Sequence, residues 1–341
     1  MQMPISLFAA ENLPSWQDIL SQCIEDPAEL LNQLQLSPDL LPAAIEACKL
    51  FPLRVPQPFL SRIEPGNPQD PLLQQILPLG AELETVSGFS QDPLGEQAAN
   101  PVPGLIHKYK GRVLLVLTGA CAINCRYCFR RHFPYQDNRL GPKQWQQILD
   151  YISADTTIHE VIFSGGDPLA TPDSRFFRLL DDLETIPHLK RLRIHSRLPI
   201  MIPQRITAAF CQRLRDSRLN AVLVIHANHA KELDTEVAGA LQLLRDHQIT
   251  LLNQAVLLKG VNDALPALMS LCERVFELGV LPYYLFTLDR VSGAAHFEVT
   301  ETAAKQLFRQ LQSTLPGYLV PKLAKEIAGE PSKTLIFSTF S

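Results

Sequence analysis

Three cysteines, Cys121, Cys125 and Cys128, stand at C-x3-C-x2-C spacing directly after the apolar run 112–118. A set of four thiolates would suggest a closed iron–sulfur or zinc site. Three thiolates in one loop suggest an open one. They hold three corners of a cubane [4Fe–4S] cluster and leave the fourth iron free for a chelating ligand. The competing reading is three structural or zinc-binding cysteines. The other four cysteines, Cys23, Cys48, Cys211 and Cys272, are scattered on segments with helical patterning and read as small core residues. Seven cysteines in this arrangement are not a disulfide framework, and they suit a reducing cytoplasm.

A loop of this kind needs a rigid frame, and from residue 112 onward the chain supplies one. Strand-like runs at 112–118, 159–164, 191–195, 221–226, 251–256 and 281–287 alternate with amphipathic stretches such as 144–152, 203–215 and 235–247. About six βα units in succession imply a parallel sheet. Six are too few for an eight-stranded closure, so the economical fold is α/β, a partial (β/α)6 TIM-like barrel. Right-handed crossovers put every strand's C-terminal end at one mouth, where ligands bind. The polar residues gather at those ends: the cysteine loop, Ser164-Gly165-Gly166-Asp167-Pro168, His195-Ser196-Arg197, His226-Ala227-Asn228-His229, Asn253 with Gln254, and Asp289. The glycines of the Gly165-Gly166-Asp167 turn would let main-chain groups approach a ligand; alone, the same residues would read as a plain left-handed turn.

The 341 residues carry 46% apolar side chains and a net charge of −4, an ordinary globular composition with no electrostatic case for nucleic acid or an anionic membrane. The arginines between 126 and 139 form too short a patch to reverse that. No run approaches the roughly 18 to 20 apolar residues of a membrane span, and the first residues lack the pattern of a signal peptide. Residues 1–53 pattern as helices, with Asp26 before Pro27 and Ser37 before Pro38 as starts. Residues 54–110 are proline-rich, read as an extended wrap with a short helix at 71–77, and show no recognisable chemistry. The core follows at 111–315, and a C-terminal segment at 316–341.

The cysteine spacing, with Tyr127 just before Cys128, resembles the radical S-adenosylmethionine superfamily, whose fold is the partial barrel above with, here, an N-terminal helical extension. The resemblance implies that S-adenosylmethionine chelates the open iron, and that Gly165, Gly166 and Asp167 bind its methionine end. Residues 105–109 through Phe129-Arg130-Arg131, then 163–168, 193–197, 203–207, 252–263 and Pro282-Tyr283-Tyr284, together look like the lysine 2,3-aminomutase family over roughly residues 52–333. The runs 128–135 and 319–333 are most similar to the short form that supplies β-lysine for modification of elongation factor P. The long forms carry zinc-binding cysteines beyond the core; no cysteine follows Cys272 here and Ala264 stands at the partner position, so no structural zinc is expected.

That family needs pyridoxal 5′-phosphate as well, and the resemblance makes Lys333 its Schiff-base lysine, although Glu330-Pro331-Ser332 replaces the usual glycine run. A solvated tail lysine is the bland alternative, and Lys322 and Lys325 are rivals. Arg130 matches the arginine that clamps the substrate carboxylate. Asp289 and Glu326, otherwise two surface carboxylates, match the acidic positions for the lysine ε-ammonium, with Glu326 in place of the usual aspartate. Arg112 matches an arginine near the pyridoxal phosphate and carboxylate. The expected activity is conversion of L-α-lysine to (R)-β-lysine for attachment to elongation factor P by a separate ligase, with an external electron donor. The alternatives are a 2,3-aminomutase for another amino acid, and a non-catalytic iron–sulfur scaffold of the modification machinery.

Overall fold

The structure is a computed structural model that describes residues 14–337. The expectations for residues 1–13 and 338–341 lie outside the described residues.

Nine strands form one sheet in sequence order: β1 (Leu105–Tyr109), β2 (Arg112–Thr118), β3 (Glu160–Gly165), β4 (Arg191–Ser196), β5 (Asn220–Ile225), β6 (Thr250–Val256), β7 (Leu281–Phe286), β8 (Lys322–Lys325) and β9 (Thr334–Leu335). From β2 to β8 every neighbouring pair is parallel. The ends are antiparallel: β1 on β2 and β9 on β8. The six strands legible in the sequence are present within a residue or so. The seventh parallel strand, β8, is an addition, and β1 and β9 finish the two edges. With strand order running linearly from β1 to β9 the sheet does not close, as a partial barrel requires.

The two-residue period of the strands separates core from site. Val161 and Phe163, Leu192 and Ile194, and Leu223 and Ile225 point into the main hydrophobic core. Their alternating neighbours Glu160, Ile162 and Ser164, Arg193 and His195, and Val222 line a cavity on the other face. Burying one such aliphatic side chain contributes about 1.5–3 kcal/mol, so the core fixes the register, and register decides which polar groups face the cavity.

Helices Pro142–Ala154, Asp173–Glu184, Thr235–Asp246 and Leu265–Glu277 connect the strands. Asp234 caps the third by accepting from the backbone of Val237 at 2.9 Å. The expected helix 203–215 is broken: a 3-10 turn at Pro203–Arg205 gives way to a helix, Ala208–Arg215, capped by Thr207. Short helices Trp16–Ser21, Pro27–Gln33 and Leu41–Leu50 begin where Ser15 and Asp26 cap the first two, and Ser37 caps the 3-10 turn leading into the third. Their Trp16, Leu30 and Leu31 join the same core as the sheet, and so do Phe59, Leu72 and Ile76 of the wrap. Among the described residues no helix is long and apolar enough to cross a membrane.

Candidate active site

A cavity of about 920 Å³ opens on one face of the sheet. All the residues singled out for chemistry line it: Cys121, Cys125, Cys128, Gly165, Gly166, Asp167, Arg112, Arg130, Asp289, Glu326 and Lys333. They come from six separate stretches of chain.

The thiol end lies in the loop after β2. Burial pushes the Cys121 thiol well above its usual range, and the charge of Asp167 and the other two cysteines adds to this. Burial and then Cys125 push Cys128 up to about 11. Thiolates crowded in this way need a multivalent cation to be stable together. Among the described residues no three His, Cys, Asp or Glu side chains stand close enough to share a single ion. The thiols face one cavity without meeting at one point.

The glycine turn after β3 is built against that loop. Gly166 donates its backbone N–H to Thr118 at 2.7 Å, and Asp167 donates to Ala120 at 2.8 Å. A Cβ on Gly165, whose φ is +125°, would stand 2.6 Å from the Thr118 carbonyl oxygen, and one on Gly166 would stand 2.6 Å from that of Ala120. The close approach that requires these glycines is therefore to the backbone leading into Cys121. The carboxylate of Asp167 is buried and takes four protein donors: Ser196 Oγ at 2.7 Å, and the backbone N–H groups of Arg197, Leu198 and Leu169 at 2.8, 2.9 and 3.0 Å. Asp167 thus ties the glycine turn to the end of β4.

Beside the thiol loop and the glycine turn the charges form a chain. Arg130 grips Glu96 with two bonds, Nε to Oε2 at 2.7 Å and Nη2 to Oε1 at 2.8 Å, and gives Nη1 to Ser164 Oγ at 2.8 Å. Lys108 stands 3.7 Å from Glu96 and 2.9 Å from Glu326. The other oxygen of Glu326 accepts from Lys333 at 2.8 Å. Burial works to raise the Glu326 carboxyl, but the two ammonium groups outweigh it and hold it down at about 2. Asp289 has no ion-pair partner within this set. Burial first, and then the charge of Glu326, push it up to about 7.

Sequence reasoning identified neither Glu96 nor Lys108. Both lie in the wrap and its following strand, and only the fold brings them to Arg130 and Glu326. Of the rival lysines, Lys322 lines the cavity over the rings of Tyr283 and Tyr284, at 5.7 and 5.9 Å. Lys325 is outside the cavity lining and pairs with Glu301 at 2.9 Å.

The remaining wall is cationic and aromatic. Arg112 lies over the Tyr109 ring at 4.6 Å. Arg193 pairs with Glu160 at 2.5 Å, while its Nε is buried without a partner. His195 and His226 meet edge to face at 5.8 Å. Burial keeps both neutral: His195 is pushed well below the usual histidine range and His226 to about 3. His229 faces away from this work, its Nδ1 accepting from the backbone of Lys231 to cap a short turn.

Residues 115–272 match the sequence profile of the Radical SAM superfamily. The chain is 54% identical to L-lysine 2,3-aminomutase of Haemophilus influenzae, over 94% of this chain and 95% of that one. It is 52% identical to the protein of the same name from Escherichia coli, over 95% of each chain. It is 33% identical to that of Clostridium subterminale, over 95% of this chain and 78% of the other. With more than half its residues shared with two such relatives along nearly their whole length, and with the cysteine loop inside the superfamily match, the chain belongs to the L-lysine 2,3-aminomutase family of radical S-adenosylmethionine isomerases.

Proposed function

We propose that the chain converts L-α-lysine to (R)-β-lysine with pyridoxal 5′-phosphate carried on Lys333, in the same cavity as a [4Fe–4S] cluster on Cys121, Cys125 and Cys128 and a bound S-adenosylmethionine. Family membership implies the cluster and S-adenosylmethionine. The observation that carries the rest is the Lys333 ammonium, which reaches the cavity lined by the three thiols and pairs there with Glu326 at 2.8 Å. When bound, these groups supply a hydrogen-abstracting radical and an imine through which nitrogen moves from C2 to C3.

The donor sets fit the groups. The three crowded thiols gain from a multivalent cation. One wall offers a phosphate dianion three cations: Arg112 has no carboxylate partner among the described residues, Lys322 has ring faces, and Arg193, although paired with Glu160, keeps a buried, unpaired Nε.

The chain's own groups then have distinct tasks. Glu326 stays ionised and orients Lys333, while Lys108 occupies its second oxygen. That leaves Asp289 as the carboxylate free to receive a cationic side chain, which favours lysine over an acidic substrate. Arg130, braced by Glu96, offers the substrate carboxylate a remaining Nη2 hydrogen in place of a two-pronged clamp. Product passes to a separate ligase for attachment to elongation factor P, with electrons from an external donor. The likeness of residues 128–135 and 319–333 to the short form supports this destination. Seven cysteines without a disulfide suit a reducing cytoplasm.

Borohydride reduction of anaerobically purified, cofactor-supplied protein, followed by peptide mapping, tests the reading. A pyridoxyl group on Lys333 together with iron–sulfur absorbance is expected. A cluster with no pyridoxyl adduct would overturn it.

A further inference from the structure

We propose that Arg197 sets the reduction potential of the iron–sulfur cluster through a charged hydrogen bond to the sulfur of Cys125, with Glu232 as its counterweight. The inference rests on the reading of Cys121, Cys125 and Cys128 as cluster ligands. Arg197 Nη1 donates to Cys125 Sγ at 2.7 Å. Hydrogen bonds and positive charge at a cluster sulfur draw off electron density and stabilise the reduced state, which raises the potential.

The guanidinium is held in place for this. Its Nη2 donates to Gln75 Oε1 at 2.7 Å and to Glu232 Oε2 at 2.9 Å. Its backbone N–H is tied to Asp167 at 2.8 Å. The holders are themselves fixed. The second oxygen of Glu232 accepts the backbone N–H groups of Asn228 and His229 at 2.9 and 3.0 Å, and Gln75 Nε2 at 3.2 Å. Gln75 and Glu232 are fully buried, and Arg197 is 6% exposed. In so dry a setting a unit charge acts strongly on its neighbours. The carboxylate of Glu232 and the sulfur of Cys125 engage the same guanidinium through different nitrogens. Arg197 therefore brings positive charge to the sulfur, and Glu232 offsets part of it. Arg197 is a positioning residue that acts through a cluster ligand.

This arrangement predicts shifts of opposite sign from two neighbouring substitutions. The full-length chain is reconstituted anaerobically without S-adenosylmethionine, and the cluster is titrated electrochemically with detection by electron paramagnetic resonance. Arg197→Gln is expected to make the midpoint more negative by about tenfold in the reduction equilibrium, about 59 mV for one electron. Glu232→Gln, which leaves the guanidinium uncompensated, is expected to move it positive. Arg197→Lys, which keeps the charge and loses the fork, should lie between Arg197→Gln and the unsubstituted protein. A purely structural role would move both substitutions the same way, through a loosened loop, or leave both unmoved. Either result, with iron content and absorbance intact, would overturn the inference alone. Failure of the unsubstituted chain to bind a cluster would overturn the site reading and this inference with it.

Discussion

The loops at the strand ends line much of the cavity and the wrap before the sheet braces it, yet only the loops announce themselves in the sequence. The loops carry residues that would touch cofactor or substrate: three thiols, a glycine turn, Asp289. The wrap carries residues that hold the arginines beside those groups in place. Glu96 fixes Arg130, Gln75 fixes Arg197, and Glu82 pairs with Arg126 beside the second cysteine. A cofactor ligand is recognisable by type and spacing. A bracing acceptor is recognisable only when its partner is known, and these partners are 34, 122 and 44 residues away.

Substitutions in the two regions should therefore fail in different ways. Cys125→Ala, in the loop, should have the largest effect: no iron–sulfur absorbance of normal intensity and turnover at background, in a protein that still folds. Lys333→Ala should keep the cluster and lose both turnover and the borohydride-trapped adduct, read by the same spectrum and peptide map. Glu96→Gln, in the wrap, removes the charge that compensates the buried Arg130. It should cost about 3–5 kcal/mol of stability in urea unfolding, together with lower turnover. If the wrap were mere packing, turnover per folded molecule would be unchanged.

Asp289→Asn sharpens the contrast, because a functional carboxylate should be bad for stability. Raising the KM for lysine by about 10- to 100-fold is the expected loss of one charge-assisted hydrogen bond. Burial raises this carboxyl from its ordinary value to about 7. Its contribution to stability is therefore full below about pH 4 and is lost as pH rises through about 7. The cofactor-free Asn variant should accordingly unfold at a higher temperature than the parent at pH 8, with no such gain at pH 4, by calorimetry. The smallest effect should come from Lys49→Ala. It breaks the exposed Lys49–Glu46 pair and should leave both stability and turnover unchanged within error.

Fold class was largely legible because the long strands are apolar or alternating runs between turn residues. β8 escaped notice since Lys322–Lys325 is four residues with a lysine at each end, a pattern indistinguishable from loop. β1 was hidden in the wrap, and it takes its strand form from pairing with β2. Periodicity misled in the opposite direction at 203–215, where it spans a break after which Thr207 caps a new helix. Within the site, spacing and resemblance led to the cysteines, Lys333 and Asp289, all of which line the cavity. The part of Asp167 was less readable. Its position beside two glycines suggests a ligand contact, whereas its carboxylate is filled by four protein donors. Arg130 is likewise engaged by Glu96, a partnership no local motif encodes.

The central claim is that cluster chemistry and lysine-bound pyridoxal chemistry act on one substrate in one cavity. It is tested most directly with L-lysine deuterated at C3, incubated with the reconstituted, reduced enzyme and S-adenosylmethionine. The account predicts β-lysine as product, with deuterium appearing in the adenosyl 5′ position. Cleavage of S-adenosylmethionine without deuterium transfer from C3, and without β-lysine, would contradict it.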